Sequence, residues 1–465
     1  MVCKNSNVRN NDGDRLVDNK KTMAKDLTEG SVLKLLLVFA APLFVSNALQ
    51  AIYNVVDMVV VGQVIGGTGM SAVAIGGNVL SILNFIVMGF AGAGQIIIAR
   101  HVGQKDLEAV SKTIGTLFTL LLSAAIVMSV VCYFLREWLL KLVNTPKESY
   151  AYTMDYTLVC MAGLVFIYGY NIVSAIMRGM GDSKRPFMFV AIASVINIIL
   201  DIIFVAILKM EVIGAALATV IGQGISFVFA MAYFYKHKEE FGFDFKPKSF
   251  IPHVNTIKKL CALGIPMAIQ SAAITISMTV VAAWVNTFGV VYSACAGVLS
   301  KLNMLVGILS QSITTAAGSM VGQNLGAKKY KRVPKILFSA VACSAAIIVV
   351  FVVVLILFPE GMVGLFTRDQ VILASASIII LPCVINSFGA VSRSFAFAII
   401  NGSGNAKLNL LVAIIDGMIA RIAMAYILGW AIGMGPQGFW LGDALAGFMP
   451  FAIGGTYYLS GKWKR

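Results

Sequence analysis

Long apolar runs, almost free of charge, follow one another from Leu33 to Leu459 and are separated by short polar connections. A helix needs roughly 20 apolar residues to cross the hydrocarbon core of a bilayer. On that ruler the chain divides into twelve spans: 33–61, 71–99, 112–135, 150–177, 186–208, 212–235, 260–286, 291–321, 334–358, 371–399, 408–431 and 437–459. Spanning strands are short and alternate in polarity, whereas these runs are long and continuously apolar, so helices are predicted throughout. The expected fold class is an all-α integral membrane protein.

Composition agrees: 59% of the 465 residues are hydrophobic and only 12% charged, about half the charge of an average soluble chain. A soluble enzyme and a nucleic-acid binder are excluded, because the net charge of +15 is spread over connections and forms no basic stripe on a polar domain. Of the 36 Lys and Arg, 28 fall in segments on the N-terminal side of the bundle, 5 on the opposite side, and Lys301, Arg393 and Arg421 within spans. That bias places both termini in the cytoplasm. Residues 1–30, polar and without the apolar segment of a signal peptide, read as a disordered cytoplasmic tail. The seven cysteines are scattered through apolar runs and read as small buried hydrophobes, and the three histidines lie in connections. No Walker A, HExxH or GxSxG pattern occurs, so neither an enzyme nor a bound cofactor is expected.

The chain repeats itself. LLVFAAP ending at Pro42 matches KLCALGIP ending at Pro266, Ile213–Ala218 matches Gln437–Gly442, and Arg178–Lys184 matches Asn401–Lys407, at offsets of 224, 224 and 223. The VGQ tripeptides at 102–104 and 321–323, 219 apart, read as a fourth match. Two six-helix units related by an axis along the membrane normal, 31–248 and 249–465, form a transporter design with a central cavity. The basic connection 237–255 is the expected linker, and Pro42 and Pro266 are candidate hinges at matching positions. Gly89–Gly94 and the GxxxG pairs Gly318–Gly322 and Gly438–Gly442 read as close helix packing.

Ionisable groups inside a membrane are expensive and point to function. The first unit carries Asp57 and Asp201 with no buried base; the second carries Lys301, Arg393 and Arg421 against Asp416 and Asp443, where Arg421 with Asp416 or Asp443 reads as a structural ion pair. The unbalanced acids must be protonated, bind a metal cation or face a cationic substrate. Asn197 lies one turn before Asp201, and Asn47, Gln50, Asn54 and Asp57 form one polar stripe, with Tyr53 beside it, toward the cavity. The second unit has Ser271, Ile274, Met278 and Val281 in place of that stripe. Thr219 and Asn171 are further candidates, as ligands or as interhelical hydrogen bonds. Oxygen donors of this kind suit Na⁺ or H⁺.

Pro42 with Asp57 in span one, RGMGDSK after span four, NIILD in span five, VGQNLGAKK at 321–329 and RIAMAYIL from Arg421 together resemble the multidrug and toxic compound extrusion (MATE) transporters, over roughly residues 30–460. Within that family the chain is similar to the bacterial branch related to DNA-damage-inducible protein F. The resemblance implies a Na⁺- or H⁺-coupled antiporter in a prokaryotic plasma membrane. Such a protein acts as a monomer and exports organic, usually cationic amphipathic, molecules by alternating access. Carried over by position, its coupling site is Asp57, Asn197, Asp201 and Thr219. The alternative is a flippase of lipid-linked precursors, for which Lys301, Arg393 and Arg421 would line the cavity.

Overall fold

The computed structural model describes residues 24–464, and among them there is no strand. Twelve spanning elements appear in the expected order: α1 Val32–Ile65, α2 Gly67–Gln104, α3 Leu107–Leu142, α4 (Tyr150–Ala162 and Leu164–Gly179), α5 Lys184–Ile207, α6 Glu211–Lys236, α7 Val254–Asn286, α8 Val290–Gly326, α9 Arg332–Leu357, α10 Ala376–Gly402, α11 Ala406–Ala431 and α12 (Pro436–Ala446 and Met449–Leu459). Two of them are broken. The α4 helix bends at Gly163, with 48° between its arms, where a Cβ would stand 2.5 Å from Val220. The α12 helix breaks at Gly447 and Phe448. The tenth span starts at Ala376, later than expected, because Gln370–Ala374 forms a separate short helix.

The repeat is visible in detail. The α5 helix widens into π turns over Ile202–Ile207, and α11 does so over Ile427–Ala431, the same place shifted by 224. The helices α2 and α8 end on left-handed residues, Lys105 and Lys328, both at φ 57 and 223 apart. That register corrects the VGQ match: Val102–Gln104 closes α2, whereas Val321–Gln323 lies in the interior of the last turns of α8.

Each half has its own buried apolar core, and the two exchange a segment. Leu36, Phe39 and Leu43 of α1 pack into the core formed by α8, α9 and α10. Leu260 and Leu263 of α7, the images of Leu36 and Phe39 at 224, pack into the core of the first half. The units expected to divide near residue 248 are therefore interlocked where their basic connections lie. At this basic end the halves also touch backbone to backbone. A Cβ on Gly103 would stand 2.0 Å from the Gln323 carbonyl, and one on Gly326 2.0 Å from the Arg100 carbonyl. Farther along α2, Gly89 meets Gly264 in the same way, at 2.6 Å, and Gln95 Nε2 donates to Ser319 Oγ at 2.7 Å across residues 224 apart.

Two segments read as loose connections are ordered. The linker lays Phe241 and Phe243 into a ring cluster with Phe118, Phe234, Phe245 and Phe250, and Thr119 Oγ1 and Thr116 Oγ1 hold its end. Residues 1–23 of the expected tail lie outside the described residues, but 24–30 are no free tail. They form a strap across both halves. Lys25 N donates to the Met180 carbonyl at 2.9 Å and Lys25 Nζ pairs with Asp182 at 3.0 Å. Then Leu27 N donates to Gln323 Oε1 at 3.0 Å, and Lys329 Nζ reaches Thr28 Oγ1 at 2.8 Å and Glu29 at 3.1 Å. Burial pushes the Asp182 carboxyl up, but Arg185 and Lys25 outweigh it and hold it below the usual carboxylate range. A carboxyl held low stabilises the fold at neutral pH and loses that contribution only as pH falls through its folded value, so this anchor stays charged under physiological conditions.

The seal between α2 and α8 has no room for a side chain. Gly103→Val should cost about 1–3 kcal/mol of contact energy, enough to raise the reactivity of a Gln323→Cys thiol toward a polar reagent from the basic end about tenfold. Unchanged reactivity would contradict the packing described.

Candidate functional site

Two distinct polar regions lie inside the apolar bundle. The first is enclosed by α1, α5 and α6. Asp57 on α1 is 4% exposed, and on α5 Asn197 and Asp201 are 3% and 0% exposed. The two carboxylates are carried by helices that pack directly against each other. Asn197 sits one helical turn from Asp201, so its amide faces the same side. Thr219 on α6 lines a small slot with Asn197, Gln50 and Tyr53. The Tyr53 hydroxyl accepts from Gln223 Nε2 at 3.4 Å.

Their hydrogen bonding is incomplete. Oδ1 of Asp57, both carboxylate oxygens of Asp201, both amide atoms of Asn197 and the Ser194 hydroxyl are buried without a protein partner. One unsatisfied buried group costs about 1–3 kcal/mol, and a charged one more. Six such atoms lie along α5 and on α1, with no base among them, an arrangement of donors and acceptors that a proton, a hard cation or water could satisfy. Among the described residues no three His, Cys, Asp or Glu come together as a metal cluster, and the donors here are two carboxylates, an amide and hydroxyls, which are hard oxygen-rich groups.

The second region is a cavity of about 310 Å³ between the halves, lined from α1, α2, α4, α5, α7, α8 and α10. Asn47, Gln50 and Asn171 line it as read from the sequence, joined by Gln95, Gln270, Gln311 and Asn401. Asn47 Nδ2 also donates to Ser312 Oγ across the halves at 3.2 Å. Tyr53 borders only the small slot, and Asn54 is exposed and lines neither space. Pro42 and Pro266 lie inside α1 and α7, which continue through them without a break.

The charges of the second half are arranged differently. Arg421 Nη1 bonds Asp443 Oδ1 at 2.7 Å and its Nη2 stands 3.4 Å from Asp416 Oδ1, so Asp443 is the nearer partner. Arg393 lies in the break of α12, where a Cβ on Gly447 would stand 2.2 Å from its Nη1. There the C-terminal carbonyls of Pro436–Ala446 favour a cation. Lys301 is exposed. None of the three lines the cavity.

Sequence reasoning missed Gln95, Arg178, Gln270 and Gln311. Arg178 was counted with the basic connections, although it reaches back into the cavity from the last turn of α4. The three glutamines are single amides in apolar spans and carry no charge to mark them.

Twelve membrane-crossing elements in two like halves around a polar cavity define a multi-pass membrane transporter. Comparison with known proteins specifies the kind. The MatE family model matches residues 42–203 and again 266–427, two stretches 224 apart that begin at Pro42 and Pro266. The chain is 32% identical over 313 residues, 67% of its length, to "Probable multidrug resistance protein YpnP" of Bacillus subtilis, covering 69% of that protein. It is 24% identical to "Probable multidrug resistance protein YoeA" of the same organism, over 94% of this chain and 95% of the other. Its fold superposes on a solved outward-facing multidrug resistance MATE family transporter with a TM-score of 0.86 at 22% identity, covering 95% of this chain and 99% of that one. The chain belongs to the MATE family.

Orphaned and paired charges predict opposite responses to neutralisation. Asp201→Asn should leave the melting temperature unchanged or raise it, since it removes an unpaired buried charge, as is common where a site is strained for function. Arg421→Met should destabilise by about 3–5 kcal/mol, because it leaves Asp443 and Asp416 buried without a partner. Thermal melts of the purified protein in one detergent check both, and a large loss with Asp201→Asn would contradict the site.

Proposed function

We propose that this chain is a Na⁺- or H⁺-coupled antiporter that exports amphipathic organic molecules, as a single polypeptide in a bacterial plasma membrane with both termini in the cytoplasm. The observation that carries the reading is the set of unpartnered oxygens at Asp57 and Asp201. The names of the relatives YpnP and YoeA support drug export. With the halves sealed at the basic end, the cavity faces outward. An ion enters there, neutralises the acids, and stabilises the arrangement of α1 and α5 in which the organic molecule leaves. The reverse rocking releases the ion inward and loads the next molecule. Such coupling needs the ion and the molecule to differ in affinity for the two states, and acids on α1, which touches both halves, provide a lever for that difference. Pro42 and Pro266 remain the proposed flexing points.

The cavity lining holds no carboxylate, so the reading drops the cationic preference that the resemblance implies. The flippase alternative loses its support as well, since Lys301, Arg393 and Arg421 lie away from the cavity.

In proteoliposomes, wild-type protein should move rhodamine B ethyl ester under either an imposed Na⁺ gradient or an imposed pH gradient, and Asp201→Asn under neither. Whichever gradient works names the ion. Movement by Asp201→Asn equal to wild type, or no movement of dye by wild type under both gradients, would contradict the antiporter.

A further inference from the structure

Among the described residues, Arg178 is the one charged side chain in the lining of the central cavity. Its Nε donates to Gln95 Oε1 at 2.9 Å and its Nη1 to Ser174 Oγ at 2.8 Å, which fixes the plane of the guanidinium. Among the described residues Nη2 finds no acceptor and no carboxylate comes within ion-pair distance of the group. Arg421 has Asp443 and Arg185 has Asp182; Arg393, which makes no ion pair among the described residues, reaches Asn386 Oδ1 at 3.4 Å and lies against the break of α12, away from the cavity. The nearest acid along the chain, Asp182, is already claimed by Lys25 and Arg185.

An interior guanidinium without a counter-ion is costly to keep, unless a partner arrives from outside the chain. Its planar fork matches a carboxylate in bidentate geometry. The rest of the lining is neutral: amides such as Gln270 and Gln311 supply polar contacts, and Met88, Met267 and Phe397 supply adaptable apolar surface. We propose that the cavity takes an amphipathic organic molecule by a carboxylate seated on Arg178. This deepens the export reading and rests on it. The same Gln95 that orients Arg178 also donates to Ser319 of the other half, so the anion seat adjoins the link that closes the halves.

Two dyes that differ only in this group test it: rhodamine B, which carries a free carboxylate, and its ethyl ester, which does not. Binding to the full-length protein in phosphatidylcholine nanodiscs is read by fluorescence polarisation. Wild type should bind rhodamine B about tenfold more tightly than the ester, as expected for one charge-assisted bidentate contact. Arg178→Gln should erase the difference by weakening rhodamine B alone, and Arg178→Lys should retain part of it. Equal or tighter binding of the ester by wild type, no saturable binding of rhodamine B, or a preference that survives in Arg178→Gln overturns the proposal. The wild-type comparison stands even if a variant fails to fold. If the ester is exported under an ion gradient while the carboxylate gives no advantage, the antiporter stands and the anion seat alone falls.

Discussion

Two carboxylates without counter-charges, held between helices in a bundle that is otherwise apolar, set the terms for the rest of this molecule. Asp57 and Asp201 sit where water cannot solvate them freely, and the chain supplies neither base nor full hydrogen bonding. Keeping such a pair charged inside the bundle is costly, and both acids sit where α1 packs against α5. Elsewhere in the first half, the aromatic cluster of the linker fastens α3 and α6 at the basic end.

The scaffold is symmetric and the chemistry is not. The π turns of α5 and α11, the left-handed ends of α2 and α8, and the exchanged apolar segments of α1 and α7 all repeat at 223 or 224 residues. Asp201 and the stripe of α1 have no such images. In the second half, charge is spent on internal pairs around Arg421. One half thus carries unpartnered buried acids, and its twin carries paired charges. The α1 helix spans both roles, with Asp57 toward one end and Leu36, Phe39 and Leu43 buried in the opposite core at the other.

Much of this was legible in the residues. Uninterrupted apolar runs require helices in a bilayer, and the offset matches at Pro42 and Pro266 are the same two points at which the family model begins its two matches. Asp57 and Asp201 stood out because a charge in an apolar run is rare, and Asn197 because it lies one turn before Asp201. Three features were hidden. The break of α12 at Gly447 depends on Arg393 needing space, which pattern alone does not reveal. The strap from Lys25 to Gly30 reads as polar tail until its partners Gln323, Asp182 and Lys329 are brought beside it by the fold. Arg178 looked like a loop cation because its position along the chain is at a helix end, whereas its long side chain points back into the cavity.

The central claim is that neutralising Asp57 and Asp201 shifts how the two halves sit. The most direct test is the distance between spin labels at Glu108→Cys, in the first turn of α3, and Lys331→Cys, on the connection that follows α8, both at the sealed end, measured by electron–electron double resonance in nanodiscs across Na⁺ concentration and pH. The account predicts two distance populations whose ratio changes with the coupling ion, and a single ratio insensitive to Na⁺ and pH when Asp57→Asn and Asp201→Asn are combined. An ion-dependent shift that persists in the double variant would contradict it, as would no shift in the wild-type protein.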